Sequence, residues 1–204
     1  MGDKLEYERS AMEKGYSVVV GIDEAGRGPL AGPVVAAACH LGEQVKITGI
    51  DDSKKLTKVK RERIFQELTE DPYVSYGVGI MGPEVIDKVN IFQATILAMK
   101  QAVENHPLTP DYLLVDGLQL PSEIPSKKIV KGDTLSLFIA AASILAKVTR
   151  DRLMLEYDQK WPMYGFKRNM GYGTREHLEA LKEYGPSPIH RESFKPKALF
   201  ACHN

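Results

Sequence analysis

The sequence predicts an α/β fold: a mixed sheet of an antiparallel meander plus parallel strands, flanked by helices, with a small C-terminal helical extension. Three observations carry the prediction. β-Branched and apolar runs at 17–23 and 33–41 flank a glycine-rich turn, as paired strands do. The run at 113–115 is continuously apolar, the mark of a strand covered on both faces, and a helical stretch before it favours a crossover to a parallel strand. Residues 134–161 carry a long helical pattern that Pro162 ends.

Taken in order, residues 5–15 read as a short amphipathic lead-in anchored by Leu5, Met12 and Tyr16. Strands follow at 17–23, 33–41 and 45–50, with turns short enough for a meander. The stretch DDSKKLTKVKRERIFQEL then sets Lys54, Lys55, Lys58, Lys60, Arg61 and Arg63 around a helix start that Thr57 caps, with Ile64, Phe65 and Leu68 as its buried stripe. Most of these cations suit a solvated helix face. Lys54 and Lys55 precede the helix, where they suit contact with a phosphate backbone.

Residues 73–81 read as a further extended segment, and Gly82-Pro83 opens a helix. Its apolar residues Val85, Ile86, Val89, Phe92, Ile96, Leu97 and Val103 largely keep three-and-four spacing until Asn105-His106-Pro107 stops it. His106 reads as a helix-end residue with no metal role. The strand at 111–116 delivers Asp116 to a carboxyl end, where open α/β sheets place their sites, although Asp116-Gly117 reads equally as a turn. A short strand at 127–130 leads to Asp133, placed either as the N-cap of the long helix or as a further acid at a strand end. The stripe of that helix is Leu135, Phe138, Ile139, Ala142, Leu145, Ala146 and Leu153. Asp151 lies about 27 Å along it and reads as an ion-pair partner.

Beyond Trp161 the chain turns rich in Gly, Pro, Tyr and cations. One short helix fits 174–184, with Thr174 and His177 in its cap turn. Tyr172, between two glycines, is either free to reach outward or buried in the extension. His190, Arg191 and Lys195 are cations of the kind that contact phosphate. The expected division is a main domain over 1–159 and a substrate-contacting extension over 160–204.

Apolar residues make up 43% of the chain, enough for a core, and the 27 basic and 27 acidic side chains cancel. Zero net charge counts mildly against a nucleic-acid binder. A nuclease that needs acids offsets its basic groove, so local charge matters more than the sum. No apolar run approaches the roughly 18 residues of a membrane span, and the charged N-terminus has neither an apolar signal region nor the myristoylation pattern. With only two cysteines, Cys39 and Cys202, no disulfide framework is expected, and a cytoplasmic location is.

The chemistry centres on GIDEAGRGPLAG, where a strand runs straight into Asp23 and Glu24 and then Gly26-Arg27-Gly28. Carboxylates are rarely buried without a positive partner, here Arg27 or a metal ion. Gly26, Gly28 and Gly32 miss the dinucleotide-binding spacing by one residue, and two acids would repel a pyrophosphate. Asp23, Glu24, Asp116 and Asp133 all fall at strand ends or just past them. The histidines at 40, 106, 177, 190 and 203 are scattered, without zinc spacing. An all-oxygen set favours two Mg²⁺ or Mn²⁺ ions, which suit attack of water on a phosphodiester. Neighbours on a strand point to opposite faces, so Asp23 and Glu24 can both serve one site only if the strand ends or bulges there, a bend that Gly26 and Gly28 make feasible.

Five blocks, in order along nearly the whole chain, resemble ribonuclease HII: 21–33, Ser53-Lys54-Lys55-Leu56, 140–151, Gly171-Tyr172-Gly173-Thr174 with Glu176-His177, and His190-Arg191 with Ser193-Phe194. The resemblance implies a ribonuclease H-like fold. It implies endonucleolytic cutting of RNA in RNA/DNA hybrids and 5′ of single ribonucleotides in duplex DNA, leaving 3′-hydroxyl and 5′-phosphate ends, by an enzyme read as a monomer. It carries the metal-binding role onto Asp23, Glu24, Asp116 and Asp133, and recognition of the RNA-to-DNA junction onto Gly26, Arg27, Gly28 and Tyr172. Ser53, Lys54, Lys55, His190 and Arg191 are the expected further substrate contacts. A hybrid-binding module without activity, or a junction resolvase or transposase core, are the competing classes. The four acids disfavour the first, and the Gly-Arg-Gly loop with Tyr172 disfavours the second.

Overall fold

The computed structural model describes residues 4–194. The elements are α1 (Glu6–Met12), β1 (Val19–Ala25), β2 (Val34–Leu41), α2 (Lys58–Glu70), β3 (Val74–Met81), α3 (Pro83–Val89), α4 (Ile91–Glu104), β4 (Tyr112–Asp116), β5 (Ser126–Ile129), α5 (Gly132–Leu135), α6 (Leu137–Lys160), a 3₁₀ turn (Pro162–Tyr164), α7 (Phe166–Asn169) and α8 (Arg175–Tyr184). The sheet has five strands in the order β3-β2-β1-β4-β5. β1, β2 and β3 pair antiparallel, whereas β4 and β5 run parallel to β1.

Side chains alternate across the sheet and fill two cores. Val19, Val35, Ala37, Cys39 and Leu114 face α6, with Phe138, Ala142 and Leu145 upon them. Val20, Ile22, Ala36, Leu113 and Val115 face α4, against Ala94, Ala98, Met99 and Ala102. With helices on both faces, β2 is buried along nearly its whole length. No helix among the described residues is long and apolar enough to cross a membrane.

Glycines set how closely the helices approach. A Cβ on Gly21 would stand 2.2 Å from the Phe138 backbone carbon, so α6 lies directly on β1. Cβ atoms on Gly77 and Gly79 would stand 2.2 and 2.0 Å from the carbonyl oxygens of Ala102 and Ala98. α4 also wraps the outer edge of β3: Gln101 Oε1 accepts from Ile80 N–H at 2.7 Å, and Asn105 Nδ2 donates to Val78 O at 2.8 Å. His106 is buried between the Leu108 backbone and Ser75 O, and burial lowers its pKa.

Several boundaries differ from expectation. Residues 45–50 form no strand; Val45, Ile47 and Ile50 instead pack as a loop against the α6-side core, and β3 completes the meander. The helix expected from residue 83 breaks at Asn90, whose φ is +70° and whose Oδ1 accepts from Gln93 N–H to start α4 afresh. Phe92 and Leu97 consequently lie exposed rather than in a buried stripe. In the lead-in, Ala11 is buried and Met12 exposed. Ser136, not Asp133, caps the long helix: its Oγ accepts from Ile139 N–H and donates to the buried Glu8 at 2.6 Å. Glu8 also accepts from Phe138 N–H at 3.0 Å, so α1 places an acid on the N-terminus of α6, where the helix dipole favours it. Asp133 lies in the first turn of α5. The expected caps at Thr57 and Thr174 are present, and Asp151 pairs with Lys147 at 2.6 Å. Lys195 and Cys202 fall outside the described residues.

Gly21→Ala forces α6 off β1, because the added methyl meets backbone. The expected cost is on the order of 2 kcal/mol, roughly a 5 °C fall in Tm for a chain of this size, read by thermal melting.

Candidate active site

β1 runs further than its parallel neighbour. The β1–β4 register ends at Ile22 opposite Val115, while β1 continues to Ala25 paired only with β2. Past Ile22, the side of β1 facing β4 is therefore open, and Asp116, the last residue of β4, stands at its corner. The pairing with β2 is regular from Gly21 to Ala25, so β1 neither ends nor bulges at Asp23-Glu24. The two acids do alternate, Asp23 on the α6 side and Glu24 on the other, and the end of β4 still exposes both to Asp116.

Asp23 is 4% exposed. Burial raises its carboxyl pKa well above the usual range, and the charges of Glu24 and Asp116 add to that. A hydrogen bond with Ser143 of α6 opposes the shift. Ser143 Oγ lies 2.9 Å from Ser53 Oγ. Burial raises Glu24 too, against the pull of Arg27, whose Nη1 is 3.4 Å away. Asp116 is raised by burial and by Asp133, although its Oδ1 accepts from Gly132 N–H at 2.6 Å. Asp133 is buried, with Lys54 Nζ 3.5 Å from its Oδ2. Partial burial works against the Lys54 charge, but Asp133, Asp23 and Asp52 outweigh it and raise its pKa.

Four carboxylates from three strand ends thus share one field, with two cationic side chains, Lys54 and Arg27, at their margin. Among the described residues, no group of three or more histidine, cysteine, aspartate or glutamate side chains stands close enough together to hold a metal ion as placed. The fit to a cation rests instead on the donor chemistry. The acids offer oxygen donors, and Asp23, Glu24 and Asp116 carry raised pKa values that a nearby positive charge would relieve.

The Gly-Arg-Gly loop is fastened from behind by two buried arginines. Arg191, 2% exposed, donates to the carbonyl oxygens of Gly26, Arg27 and Gly32 at 2.6–2.9 Å. Arg150 donates to Pro33, Ala31 and Met170 oxygens at 2.9–3.1 Å. Among the described residues, neither guanidinium meets a carboxylate at bonding distance. Burial and the neighbouring Arg150 lower the Arg191 pKa to about 9. Gly26 has φ +95°, and a Cβ there would strike Arg150 Nε at 2.1 Å. The extension closes on the loop through Leu30 N–H to Gly171 O at 2.8 Å and Gly32 N–H to Ile189 O at 2.8 Å. Tyr172, 46% exposed, has its ring 3.6 Å from where a Cβ on Gly28 would stand.

Several expected substrate contacts are corrected here. Arg191 and His190 are buried and serve the scaffold, so neither presents charge to a phosphate. The Ser53 hydroxyl is buried against Ser143. Lys54, Lys55, Arg27, Gly28 and Tyr172 are the expected contacts that reach solvent. Ser143 and Arg150 were not singled out by sequence reasoning. Their signal was a polar and a charged residue seven apart, hence on one face of the long helix.

A mixed sheet that collects carboxylates at one strand end, rimmed by basic side chains and a glycine loop, defines a nuclease of ribonuclease H-like fold. Residues 20–197 match the family model described as Ribonuclease HII. A ribonuclease HII of Bacillus velezensis is 54% identical over 190 residues, 93% of this chain and 74% of that one. One from Chlamydia pneumoniae is 54% identical over 192 residues, 94% and 90%. Among solved structures, ribonuclease H2 from Pyrococcus horikoshii OT3 aligns with TM-score 0.71 at 30% identity, covering 88% of this chain and 94% of that one. The RNase HII of a PCNA complex from Archaeoglobus fulgidus aligns with TM-score 0.74 at 26% identity, covering 88% and 96%. The chain belongs to the ribonuclease HII family and is a hydrolase of phosphodiester bonds.

Two outcomes follow from this geometry. Without metal, raised carboxyl pKa values in the folded state mean that stability is fully present below the ordinary carboxylate pKa and is lost as pH rises through the folded values. Asp23→Asn removes one of the mutually repelling acids, so it raises the Tm of the metal-free protein at pH 7–8. Calorimetry with a chelator present reads the effect. Arg191→Lys cannot reach three carbonyls at once and lowers stability by about 2–3 kcal/mol; denaturant melts read that loss.

Proposed function

We propose that the protein is an endoribonuclease that hydrolyses the RNA strand of RNA/DNA hybrids. It also cuts 5′ of single ribonucleotides embedded in duplex DNA, leaving 3′-hydroxyl and 5′-phosphate ends, and so serves ribonucleotide removal in repair and replication. It works as a cytoplasmic monomer. The reading rests above all on one observation: Asp23, Glu24, Asp116 and Asp133 converge electrostatically at the open end of β1, beside an exposed Gly28–Tyr172 contact.

Asp23, Glu24, Asp116 and Asp133 would hold two divalent ions, Mg²⁺ or Mn²⁺. When bound, such a pair lowers the pKa of an attacking water and stabilises the leaving oxygen. The carboxylates supply the anionic field that draws the cations in. Ser143 fixes the orientation of Asp23, and Gly132 N–H that of Asp116. Lys54 balances the field at Asp133, and with Lys55 and Arg27 it faces the phosphate backbone.

Selectivity for ribose comes from the loop and the extension. A 2′-hydroxyl both donates and accepts, and backbone around Gly28 is bare enough to meet it in a minor groove. The Tyr172 ring stacks on the sugar of the following deoxynucleotide, a surface that a ribose, with its added 2′-hydroxyl, fits less closely. Arg191 and Arg150 hold these two elements in one frame by binding carbonyls on both sides of the loop.

Cleavage is to be compared on three duplexes: DNA with one ribonucleotide, a full RNA/DNA hybrid, and all-DNA. The protein cuts the first two in Mg²⁺ or Mn²⁺ and neither after chelation. Tyr172→Ala lowers cutting at the single ribonucleotide on the order of 10²-fold. Cutting of all-DNA overturns the assignment of substrate.

A further inference from the structure

Two histidines in the extension make a contact that packing alone does not require. His177 Nε2 and His190 Nε2 are 2.9 Å apart, and both rings are buried. At that separation one nitrogen carries the hydrogen and the other a lone pair. The outer nitrogens decide which. Ser187 N–H donates to His190 Nδ1 at 2.8 Å, with Ser187 Oγ also 2.8 Å away. His190 Nδ1 is therefore an acceptor, and its proton is on Nε2. His177 Nε2 accepts that proton's hydrogen bond, which leaves the His177 proton on Nδ1. His177 Nδ1 lies 2.8 Å from the backbone carbonyl oxygen of Tyr172.

The result is a hydrogen-bond chain with one direction, Ser187 to His190 to His177 to Tyr172. Tyr164 and Phe166 fix the rings, with centroids 5.0 Å from His190 and 5.4 Å from His177 respectively. Burial lowers both imidazole pKa values, that of His190 to about 4, so the uncharged forms the chain needs are the favoured ones. Ser187 and His190 belong to the segment whose next residue, Arg191, grips the Gly26–Arg27 carbonyls. One connected unit therefore sets both Tyr172 and the loop it faces.

We infer that His177 and His190 are positioning residues that fix the backbone from which Tyr172 reaches the substrate, and so set the selectivity for a ribonucleotide followed by DNA. The inference rests on the reading of Tyr172 given above. A role in packing alone would be served equally by two aromatic rings. A positioning role requires the polar bond to the Tyr172 carbonyl.

Nitrogen-15 NMR of histidine-labelled full-length protein at pH 7 tests the chain without any substitution. Expected are the Nδ1–H form of His177 and the Nε2–H form of His190; either opposite tautomer overturns the inference. His177→Phe keeps a ring and removes both bonds, whereas His177→Asn places an amide donor where Nδ1 stood. Expected for the first are shifted Tyr172 ring and amide signals and a loss of about 10- to 100-fold in cleavage at a single ribonucleotide, with cleavage of a long hybrid nearly unchanged. Expected for the second is recovery of both. A folded His177→Phe protein with wild-type Tyr172 signals overturns the inference even if Tyr172→Ala is impaired. If Tyr172→Ala instead cuts single ribonucleotides like the wild type, the substrate reading of Tyr172 fails, and the tautomers and Tyr172 signals alone decide the positioning role.

Discussion

Repulsion among carboxylates held out of water is the constraint around which the molecule is built. Two adjacent acids on a central strand, with a third beside them, are unfavourable in any apolar setting. The fold tolerates them because the pairing of β4 with β1 stops at Ile22, three residues before β1 ends, which leaves an open corner. It then restrains them individually. α6 comes close enough, across Gly21, for Ser143 to bond Asp23, and the turn after β5 brings the Gly132 amide to Asp116. Each restraint is a neutral dipole. The compensating cations Lys54 and Arg27 stay at the rim, where they balance charge without closing the opening.

Buried positive charge serves a different purpose in the same structure. Arg150 and Arg191 are more deeply enclosed than any acid of the site, yet their partners are backbone carbonyls. A guanidinium offers five N–H groups in a fixed plane, so one side chain can satisfy several carbonyls of a loop that has no ladder of its own. Residues 26–33 cross from β1 to β2 without regular pairing, and these arginines take the place of a sheet partner. The extension uses the same approach with imidazoles, which bond Tyr172 through its main chain while its ring stays half-exposed beside Gly28.

Much of this was legible in the chain. The strand that runs into Asp23-Glu24 and the parallel strand ending at Asp116 both follow from local pattern. So do the caps at Thr57 and Thr174, because strand periodicity and capping are short-range properties. What failed depended on tertiary context. Val45 and Ile47 alternate like a strand, but the segment 45–50 finds no place in the sheet, since β3 lies beside β2. Asp133 resembled a cap because Ser136, three residues on, was not weighed with the distant Glu8 that completes it. His190 and Arg191 looked like phosphate contacts because charge in a polar segment usually means exposure. Nothing local to them signals that the loop at 26–33 lies directly above. A bulge at Asp23-Glu24 is unnecessary because the ending of a neighbouring strand does the same work as a bend.

The wrapped edge of β3 bears on behaviour at high concentration. A sheet of finite width leaves two outer strands whose unpaired amides can recruit a strand from another molecule. Here one border is occupied by the carboxamides of Gln101 and Asn105, and the other, β5, carries exposed Lys127 and Lys128 on only four residues. Both margins discourage fibril-like stacking between copies, so the sheet stays closed to other molecules even where the protein is concentrated.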